Sequence, residues 1–172
     1  NGPKGIGFLY IRKGTSIASY ISGGSQERNM RAGTENVAGI VGMAAALKKN
    51  VDRMTETTAA LKELEATFLT RLLLSGIDYI KNGGHNRLPG NVNISIRGAD
   101  GEMLLHRLDL KGICISTGSA CDSVNTQVSH VIESIKVPTE YANGTIRISF
   151  GVDNTKEEAL TVAEALINIL NH

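Results

Sequence analysis

The sequence predicts an α/β protein that includes a small α+β domain. Short segments with the two-residue apolar period of strands recur in the second half of the chain, and segments with helical periodicity separate them. The length of 172 residues is enough for one well-packed core and an appended unit. Strands of similar length that alternate with helices indicate a sheet with helices on one face.

The first part of the chain is predicted to contain two strands and a polar loop. Residues 5–12 are apolar and β-prone between glycine-containing turns, and residues 17–21 follow as a short return strand. Residues 23–36 are polar, rich in glycine and without either period, which is typical of a functional loop or a solvated connector. The chain opens on Asn1 with no methionine, in an apparent loop before a strand, so we expect a fragment of a longer protein.

A long helix is predicted next. Thr34 is a suitable N-cap for a helix that begins at Glu35, and apolar residues recur at helical spacing over residues 37–47 and again beyond Asn50. The helix is expected to bend or break near Asn50 and to end at residues 75–76 (Ser-Gly). Because it is longer than a small domain needs, we expect it to link two domains.

The remaining residues alternate strands with helices. Strands are predicted over residues 78–81, 91–97, 113–115 and 145–150, and helices over residues 100–109, 127–135 and 155–170. A capping-box pattern, Thr-Lys-Glu-Glu at residues 155–158, marks the beginning of the last helix. Residues 82–89 form a turn-rich loop.

Composition limits the classes of function. The 41% hydrophobic and 20% charged residues are typical of a globular protein. The net charge of +1 and the absence of tryptophan provide no basis for binding nucleic acid directly. No apolar run approaches the roughly 20 residues of a membrane span. The two cysteines form neither a CxxC pair nor a metal quartet. Without a signal-peptide pattern, a cytoplasmic location is expected.

Cys121 is the candidate nucleophile. It lies directly after a predicted strand, in residues 116–123 (Ser-Thr-Gly-Ser-Ala-Cys-Asp-Ser), where small neighbours leave its sulfur uncovered. From local composition alone, an inert and half-exposed thiol is the alternative, because most cysteines carry no chemistry. Cys114 lies on the preceding strand and is expected in the core.

Six motifs occur in order along the chain. They are GPKGIGFLYIR at residues 2–12, GGSQER at 23–28, RAGTEN at 31–36, LPGNVN at 88–93, STGSAC at 116–121 and GTIRIS at 144–149. Together they resemble the NifS/IscS-type cysteine desulfurases, which are pyridoxal-phosphate enzymes of the aspartate-aminotransferase fold and the class V aminotransferase family. The resemblance covers the whole chain. It implies that residues 1–50 are the C-terminal end of the large cofactor-binding domain, residues 51–76 a linking helix, and residues 77–172 the C-terminal small domain, a short-stranded sheet covered by helices that carries the cysteine loop.

The resemblance implies an activity that depends on pyridoxal 5'-phosphate. Sulfur is removed from L-cysteine, giving L-alanine and an enzyme persulfide, and the family's persulfide cysteine falls on Cys121. The persulfide then passes to a sulfur acceptor or an iron–sulfur scaffold protein, for iron–sulfur cluster assembly or tRNA thiolation. A loop suits a thiol that must travel between a buried cofactor and an external acceptor. The resemblance also implies a homodimer without a membrane partner.

The resemblance assigns further site residues. The family's substrate-carboxylate arginine falls on Arg147, which strand alternation places on the face opposite its apolar neighbours. A solvent-facing arginine is the alternative. The phosphate-binding threonine, donated by the neighbouring subunit, falls on Thr34, where a plain N-cap is the other role. Arg28 and Arg31 in the same loop are candidates for the cofactor mouth or the dimer interface, with ordinary solvated arginines as the alternative.

One departure from the family pattern matters most. The family's Schiff-base lysine stands in a Ser-x-His-Lys context that these 172 residues lack, and Lys4 follows a proline and does not match it. We therefore expect the chain alone to be inactive. The alternatives are a sulfur-relay or scaffold-interaction module and a related pyridoxal-phosphate-dependent selenocysteine lyase. No metal site is predicted, although Cys121 stays open as an iron–sulfur ligand in a transfer complex.

Overall fold

The computed structural model describes residues 2–84, 86–117 and 128–171. The contacts between residues divide the chain into two compact units, Asn1–Met54 and Thr55–His172. The helices are α1 (Gln26–Asn29), α2 (Val37–Asp52), α3 (Met54–Leu74), α4 (Gly101–Asp109), α5 (His130–Ser134), α6 (Thr139–Ala142) and α7 (Lys156–Leu170), and the strands are β1 (Tyr79–Lys81), β2 (Asn91–Ile96), β3 (Ser116–Thr117) and β4 (Thr145–Ser149). Domain limits at residues 50 and 76 stay a prediction.

The first unit contains helices but no strand among its described residues. Residues 5–12 and 17–21, which the sequence predicts as strands, are irregular, and large apolar side chains among them are exposed, namely Phe8, Leu9, Tyr10 and Tyr20. The strand predictions were wrong because a strand needs a hydrogen-bonded neighbour for its backbone groups, and the described part of this unit provides none.

The helix α2 begins later than predicted. Its N-cap is Asn36, whose side-chain Oδ1 accepts a hydrogen bond from the backbone N–H of Gly39 at 3.0 Å. The prediction that Thr34 caps a helix from Glu35 was therefore wrong; asparagine and threonine are both good N-caps, so the residue type alone does not choose between them. The break predicted near Asn50 is present, since Arg53 separates α2 from α3.

The four strands of the second unit form an antiparallel sheet in the order β1-β2-β4-β3. Alternate residues of β2 and β4 point to one face and build the core with α3, α4 and α7. The buried core consists of Leu64, Phe68, Leu72, Val92, Ile94, Ile96, Leu104, Leu108, Ile146, Ile148, Ala159, Ala163, Leu166, Ile167 and Ile169. The predicted α/β class and the helical layer on the core face are confirmed.

The approach to β3 differs from the prediction. The strand was predicted over residues 113–115 but is observed at Ser116–Thr117. Ile113 and Ile115 pack against the core, whereas Cys114 between them is exposed. The prediction of a core Cys114 was wrong because alternation along an extended segment turns the middle residue away from the side that its neighbours face.

The last helix has the predicted capping box. Thr155 Oγ1 accepts from the backbone N–H of Glu158 at 3.2 Å, and the Glu158 carboxylate accepts from the backbone N–H of Thr155 at 2.9 Å. None of the described helices combines the length and apolar character that a membrane-spanning helix requires.

Candidate functional site

The face of the sheet opposite the core is polar and carries the candidate arginine. Alternate strand positions place Asn93 and Ser95 of β2, Thr145 and Arg147 of β4, and Ser116 of β3 on this face. The register pairs Arg147 with Asn93 on one side and with Ser116 on the other. Arg147 is exposed, and its Nη2 donates a hydrogen bond to Ser116 Oγ at 3.3 Å.

Arg147 has no carboxylate partner within residues 2–84, 86–117 and 128–171. By contrast, Arg71, Arg87 and Arg97 of the same unit each pair with an acidic side chain. The strand backbone holds Arg147 by pairing on both sides. A guanidinium with unused donors on a rigid strand suits a bidentate external carboxylate or phosphate.

A chain of buried hydrogen bonds lies beside Arg147 on the same face. Asn82 Nδ2 donates to Asn93 Oδ1 and to Ser95 Oγ, each at 2.7 Å. Ser95 Oγ contacts Thr145 Oγ1 at 2.7 Å, and Thr145 Oγ1 donates to the carbonyl of Ala142 at 2.7 Å. Asn82, Ser95 and Thr145 are buried. The network therefore joins the end of β1 and the end of α6 to the two central strands.

Gly144 allows the beginning of β4 to approach β2 closely. A Cβ at this position would lie 2.1 Å from the carbonyl oxygen of Ile96, a separation that no side chain tolerates. Gly101 is similarly close to the backbone, because its Cβ would lie 2.8 Å from the carbonyl oxygen of Thr145. The glycine of the GTIRIS motif thus has a packing role beside the strand that carries Arg147.

The segment of the sequence that contains Cys121 follows β3. Thr117 is the last described residue before residues 118–127, so Cys121 lies outside the described residues. Thr117 Oγ1 donates to Glu102 Oε1 at 2.6 Å, and Ser116 pairs with Arg147. Ser116 and Thr117, the last described residues before that segment, are therefore held between α4 and the strand that carries the candidate arginine.

Thr34 lies in the first unit, in a loop closed by its own hydrogen bonds. Arg31 Nη1 donates to the carbonyls of Gly33 at 2.9 Å and Thr34 at 3.2 Å, and Gln26 Oε1 accepts from the Gly33 N–H at 3.1 Å. The Thr34 side chain is exposed and makes no hydrogen bond to the described part of the chain. Arg31 therefore braces the segment that leads into α2.

Arg28 lies in a turn with left-handed backbone. Glu27, Arg28 and Asn29 have φ values of 48°, 58° and 66°, so α1 is not a regular right-handed helix. Left-handed backbone costs a non-glycine residue of order 1–2 kcal/mol. Arg28 is exposed and pairs with no acidic group in the described part of the chain.

The donors of the first unit fit part of a phosphate site. The hydroxyl of Thr34 is free of protein partners in the described ranges, Arg28 carries a positive charge, and the N-terminal end of α2 follows at Val37. Hydroxyl, guanidinium and helix N-terminus are the donors that a phosphate dianion takes. These residues fit the phosphate of pyridoxal phosphate, but they offer no lysine in the family's context for its covalent attachment.

The histidines that the structure describes in the second unit are surface residues. His106 and His130 are exposed. Within the described ranges, no group of three or more His, Cys, Asp or Glu side chains could hold a metal ion. Sequence reasoning missed the polar network; its only sequence signal is that Asn, Ser and Thr occupy strand positions that alternate with the buried apolar residues.

Comparison with known proteins identifies one family. The aminotransferase class-V family model matches residues 1–162. A cysteine desulfurase IscS from Dictyoglomus turgidum is 47% identical over 98% of this chain and 44% of its own length. A cysteine desulfurase IscS from Clostridium botulinum is 45% identical over 98% of this chain and 43% of its own length. The chain thus spans less than half the length of these relatives.

Solved structures agree with the sequence relatives. A NifS-like protein superposes with a TM-score of 0.84 at 35% identity, covering 99% of this chain and 43% of that one. A NifS-like protein from Rickettsia africae gives a TM-score of 0.76 at 31% identity, covering 92% of this chain and 41% of that one. A structure described as SspA in complex with cysteine gives a TM-score of 0.61 at 28% identity, covering 87% of this chain and 40% of that one.

Proposed function

The chain belongs to the aminotransferase class-V family, and we propose that it is the substrate-binding and sulfur-carrying part of a cysteine desulfurase. The reaction converts L-cysteine into L-alanine and leaves a persulfide on Cys121. One observation carries the proposal: Arg147 is exposed, without a carboxylate partner in the described ranges, on the strand that pairs with Ser116 and Thr117, the latter four residues before Cys121 in the sequence.

In this proposal, different residues of the chain bind the substrate and transfer its sulfur. Arg147 binds the carboxylate of L-cysteine and so orients the substrate. Pyridoxal phosphate, when bound, acts as the electron sink for the bonds at the substrate's α-carbon. The thiolate of Cys121 forms a bond to the substrate sulfur as the carbon–sulfur bond breaks, and protonation of the carbon fragment yields alanine. The persulfide is then passed to an acceptor protein for iron–sulfur cluster assembly or tRNA thiolation.

The first unit serves the cofactor in this proposal. Thr34 and Arg28 donate to the phosphate group, with Thr34 serving the neighbouring subunit of a homodimer, and Arg31 holds the loop in place. Residues 1–50 would then end the large domain, residues 51–76 link the domains and residues 77–172 form the small domain of a cytoplasmic enzyme. The exposed Phe8, Leu9 and Tyr10 support this layout, because apolar side chains exposed in a row indicate contact with further protein.

A chimera tests the function. We would replace the matching segment of the Dictyoglomus turgidum relative by this chain and measure alanine formed from L-cysteine, with the mass of the tryptic peptide that carries Cys121. The expected result is alanine release and addition of one sulfur atom to that peptide. Cys121→Ser should remove the added sulfur and lower alanine release by at least about 100-fold.

Cys114→Ser is the matched control, because Cys114 is the other cysteine of the sequence, is exposed and lies outside the proposed chemistry. It should retain both alanine release and the persulfide. A Cys121→Ser chimera that still releases alanine at the unmodified rate would contradict the proposal.

The chain by itself provides a second test. Incubated with pyridoxal phosphate and L-cysteine, the 172-residue chain should show neither the absorption band of a lysine-bound cofactor nor alanine, since it lacks the lysine motif. Appearance of that band together with alanine would show that a lysine of this chain binds the cofactor covalently and supports the reaction.

A further inference from the structure

We propose that Asn93 is a second carboxylate-binding residue, which donates from its side-chain amide to the same ligand as Arg147. The inference deepens the proposed function and rests on it, because it takes the carboxylate of an α-amino acid as the ligand of Arg147. It adds a specificity-determining donor to a site that would otherwise consist of the guanidinium and the Ser116 hydroxyl.

Four side chains form a row across the polar face of the sheet. Asn82 directly follows β1, and its backbone N–H donates to the carbonyl of Asn93 at 2.9 Å. The register pairs Asn93 with Arg147 and Arg147 with Ser116. Residues directly opposite each other on antiparallel strands point to the same face, with Cβ atoms about 4.5–5.5 Å apart. Asn93 therefore stands between Asn82 and Arg147.

The number of protons in the buried network determines which group donates at each contact, and hence the orientation of the Asn82 amide. Thr145 has one hydroxyl proton, which it donates to the carbonyl of Ala142. The proton in the 2.7 Å contact between Ser95 and Thr145 must then come from Ser95. Ser95 Oγ consequently accepts from Asn82, so the amide nitrogen of Asn82 lies on the side of Ser95 and Asn93.

This orientation leaves one arrangement for Asn93. Its oxygen accepts from Asn82 Nδ2 at 2.7 Å, and the reverse arrangement would place two amide nitrogens at that distance with no acceptor between them. The Asn93 nitrogen, with its two N–H donors, is therefore turned away from Asn82, and the next side chain along the row is Arg147. Asn93 is half-buried, and its nitrogen has no acceptor in the described part of the chain.

Two side chains with unused hydrogen-bond donors thus lie next to each other. Arg147 contributes guanidinium N–H groups and Asn93 contributes amide N–H groups, and in the described ranges only Ser116 accepts from either. A carboxylate has two oxygens and about four lone-pair sites, so it accepts from both groups at once. The carboxylate keeps its charge throughout sulfur removal, so these contacts act on substrate binding more than on the chemical step.

Two substitutions in the chimera test this role. Asn93→Ala removes the donor, and Asn93→Asp keeps the shape and the acceptor for Asn82 while placing a negative charge beside Arg147. Each should raise KM for L-cysteine roughly tenfold or more, with Asn93→Asp the larger, and leave kcat within about twofold. A merely structural role would lower the amount of folded enzyme without this division between KM and kcat.

Asn91→Asp is the matched control. Asn91 lies two positions earlier on β2, is exposed, and pairs with Ser149 rather than Arg147. The same change of charge there should leave KM within about twofold. Unchanged KM in both Asn93 variants would overturn the inference.

Arg147→Gln separates the inference from the proposed function. If Arg147→Gln raises KM and the Asn93 variants do not, the role of Asn93 is wrong and the proposed function stands. If an active chimera keeps its KM after Arg147→Gln, the proposed carboxylate site itself is wrong.

A binding measurement on the unmodified chain requires neither activity nor a variant that folds. Titration of the ¹⁵N-labelled chain with L-alanine should shift the side-chain NMR signals of Asn93 Nδ2 and Arg147 Nε with one common dissociation constant. L-Alaninamide, which lacks the carboxylate, should shift neither signal. A shift of Arg147 alone would overturn the role of Asn93, and the absence of both shifts would overturn the carboxylate site as a whole.

Discussion

At the scale of residues, the position of an arginine in the sheet determines whether it is available to bind a ligand, because residue type is the same at every such position. Arg97 and Arg147 both belong to the second unit, but Arg97 pairs with Asp78 and stacks on Tyr141, whereas Arg147 has no acidic partner in the described ranges. The donors of a paired arginine are already engaged by an acidic side chain, whereas an unpaired arginine on a strand keeps its donors for a ligand.

The buried network is the residue-scale feature most open to test. Thr145→Val keeps the shape of the side chain but leaves the carbonyl of Ala142 and the hydroxyl of Ser95 without their partner. Loss of a buried hydrogen bond costs about 1–3 kcal/mol, so the free energy of unfolding should fall by that amount in urea denaturation.

Thr161→Val on α7 is the control, because Thr161 is exposed and its hydroxyl also donates to a backbone carbonyl, that of Glu157. It should change the free energy of unfolding by no more than about 0.5 kcal/mol. Equal losses in the two variants would show that the buried network adds nothing to an ordinary helix-surface hydrogen bond.

At the scale of elements, ion pairs join two helices of the layer, and a capping box fixes the beginning of one of them. Arg71 of α3 pairs with Glu164 of α7, and Lys156 at the start of α7 pairs with Glu63. Exposed ion pairs contribute little individually. The hydrogen-bonded capping box fixes where α7 begins.

The capping box predicts a defined response to mutation. Thr155→Ala should lower the free energy of unfolding by about 1 kcal/mol, because the backbone N–H of Glu158 loses its acceptor. Thr139→Ala is a useful comparison, since Thr139 lies in a helix whose N-cap makes no side-chain hydrogen bond. A loss at Thr155 no larger than that at Thr139 would argue against a role of the box in stability.

The same box makes stability depend on pH. Hydrogen bonds from the Asn154 side chain and then from the Thr155 backbone N–H lower the pKa of Glu158 below its ordinary value of 4.5. A lowered carboxyl pKa stabilises the folded state above that ordinary value, and the contribution is lost as the pH falls through the lowered pKa. Glu158→Gln should therefore lose less stability on acidification than the unmodified chain, in urea denaturation at neutral and at acid pH. An identical acid response would contradict this.

At the scale of the whole molecule, the core belongs to one unit. Every member of the buried apolar cluster lies within Thr55–His172, whereas Ala32 is the only buried apolar residue in the described part of Asn1–Met54. Exposed side chains such as Phe8 and Tyr20 leave that part without a core of its own. Burial of apolar surface is the main term that stabilises folding, so the two units should differ sharply in stability.

Separate expression of the units measures this difference. Residues 55–172 alone should unfold in one cooperative thermal transition and retain slow amide hydrogen exchange in β2 and β4. Residues 1–54 alone should exchange their amide hydrogens rapidly throughout. A cooperative transition in the 1–54 fragment, or none in the 55–172 fragment, would contradict this division.

Local patterns account for what could be predicted from the sequence. The apolar periods of α4, α7, β2 and β4 and the capping box at Thr155 were recognised because each depends on residues close together in the chain. The six motifs likewise indicated the family, which the family match over residues 1–162 confirms. The assignments of Cys121, Arg147 and Thr34 to their roles stay predictions.

The family, the fold class and the order of most elements thus follow from the sequence alone, since hydrophobic period and short motifs are local properties. The folded structure was needed to establish that residues 5–12 have no strand partner in the described ranges, that Cys114 points outward, and that Asn93 stands between Asn82 and Arg147. These outcomes depend on which strands pair and in which register. Pairing brings together residues far apart in the chain, and no local pattern specifies it.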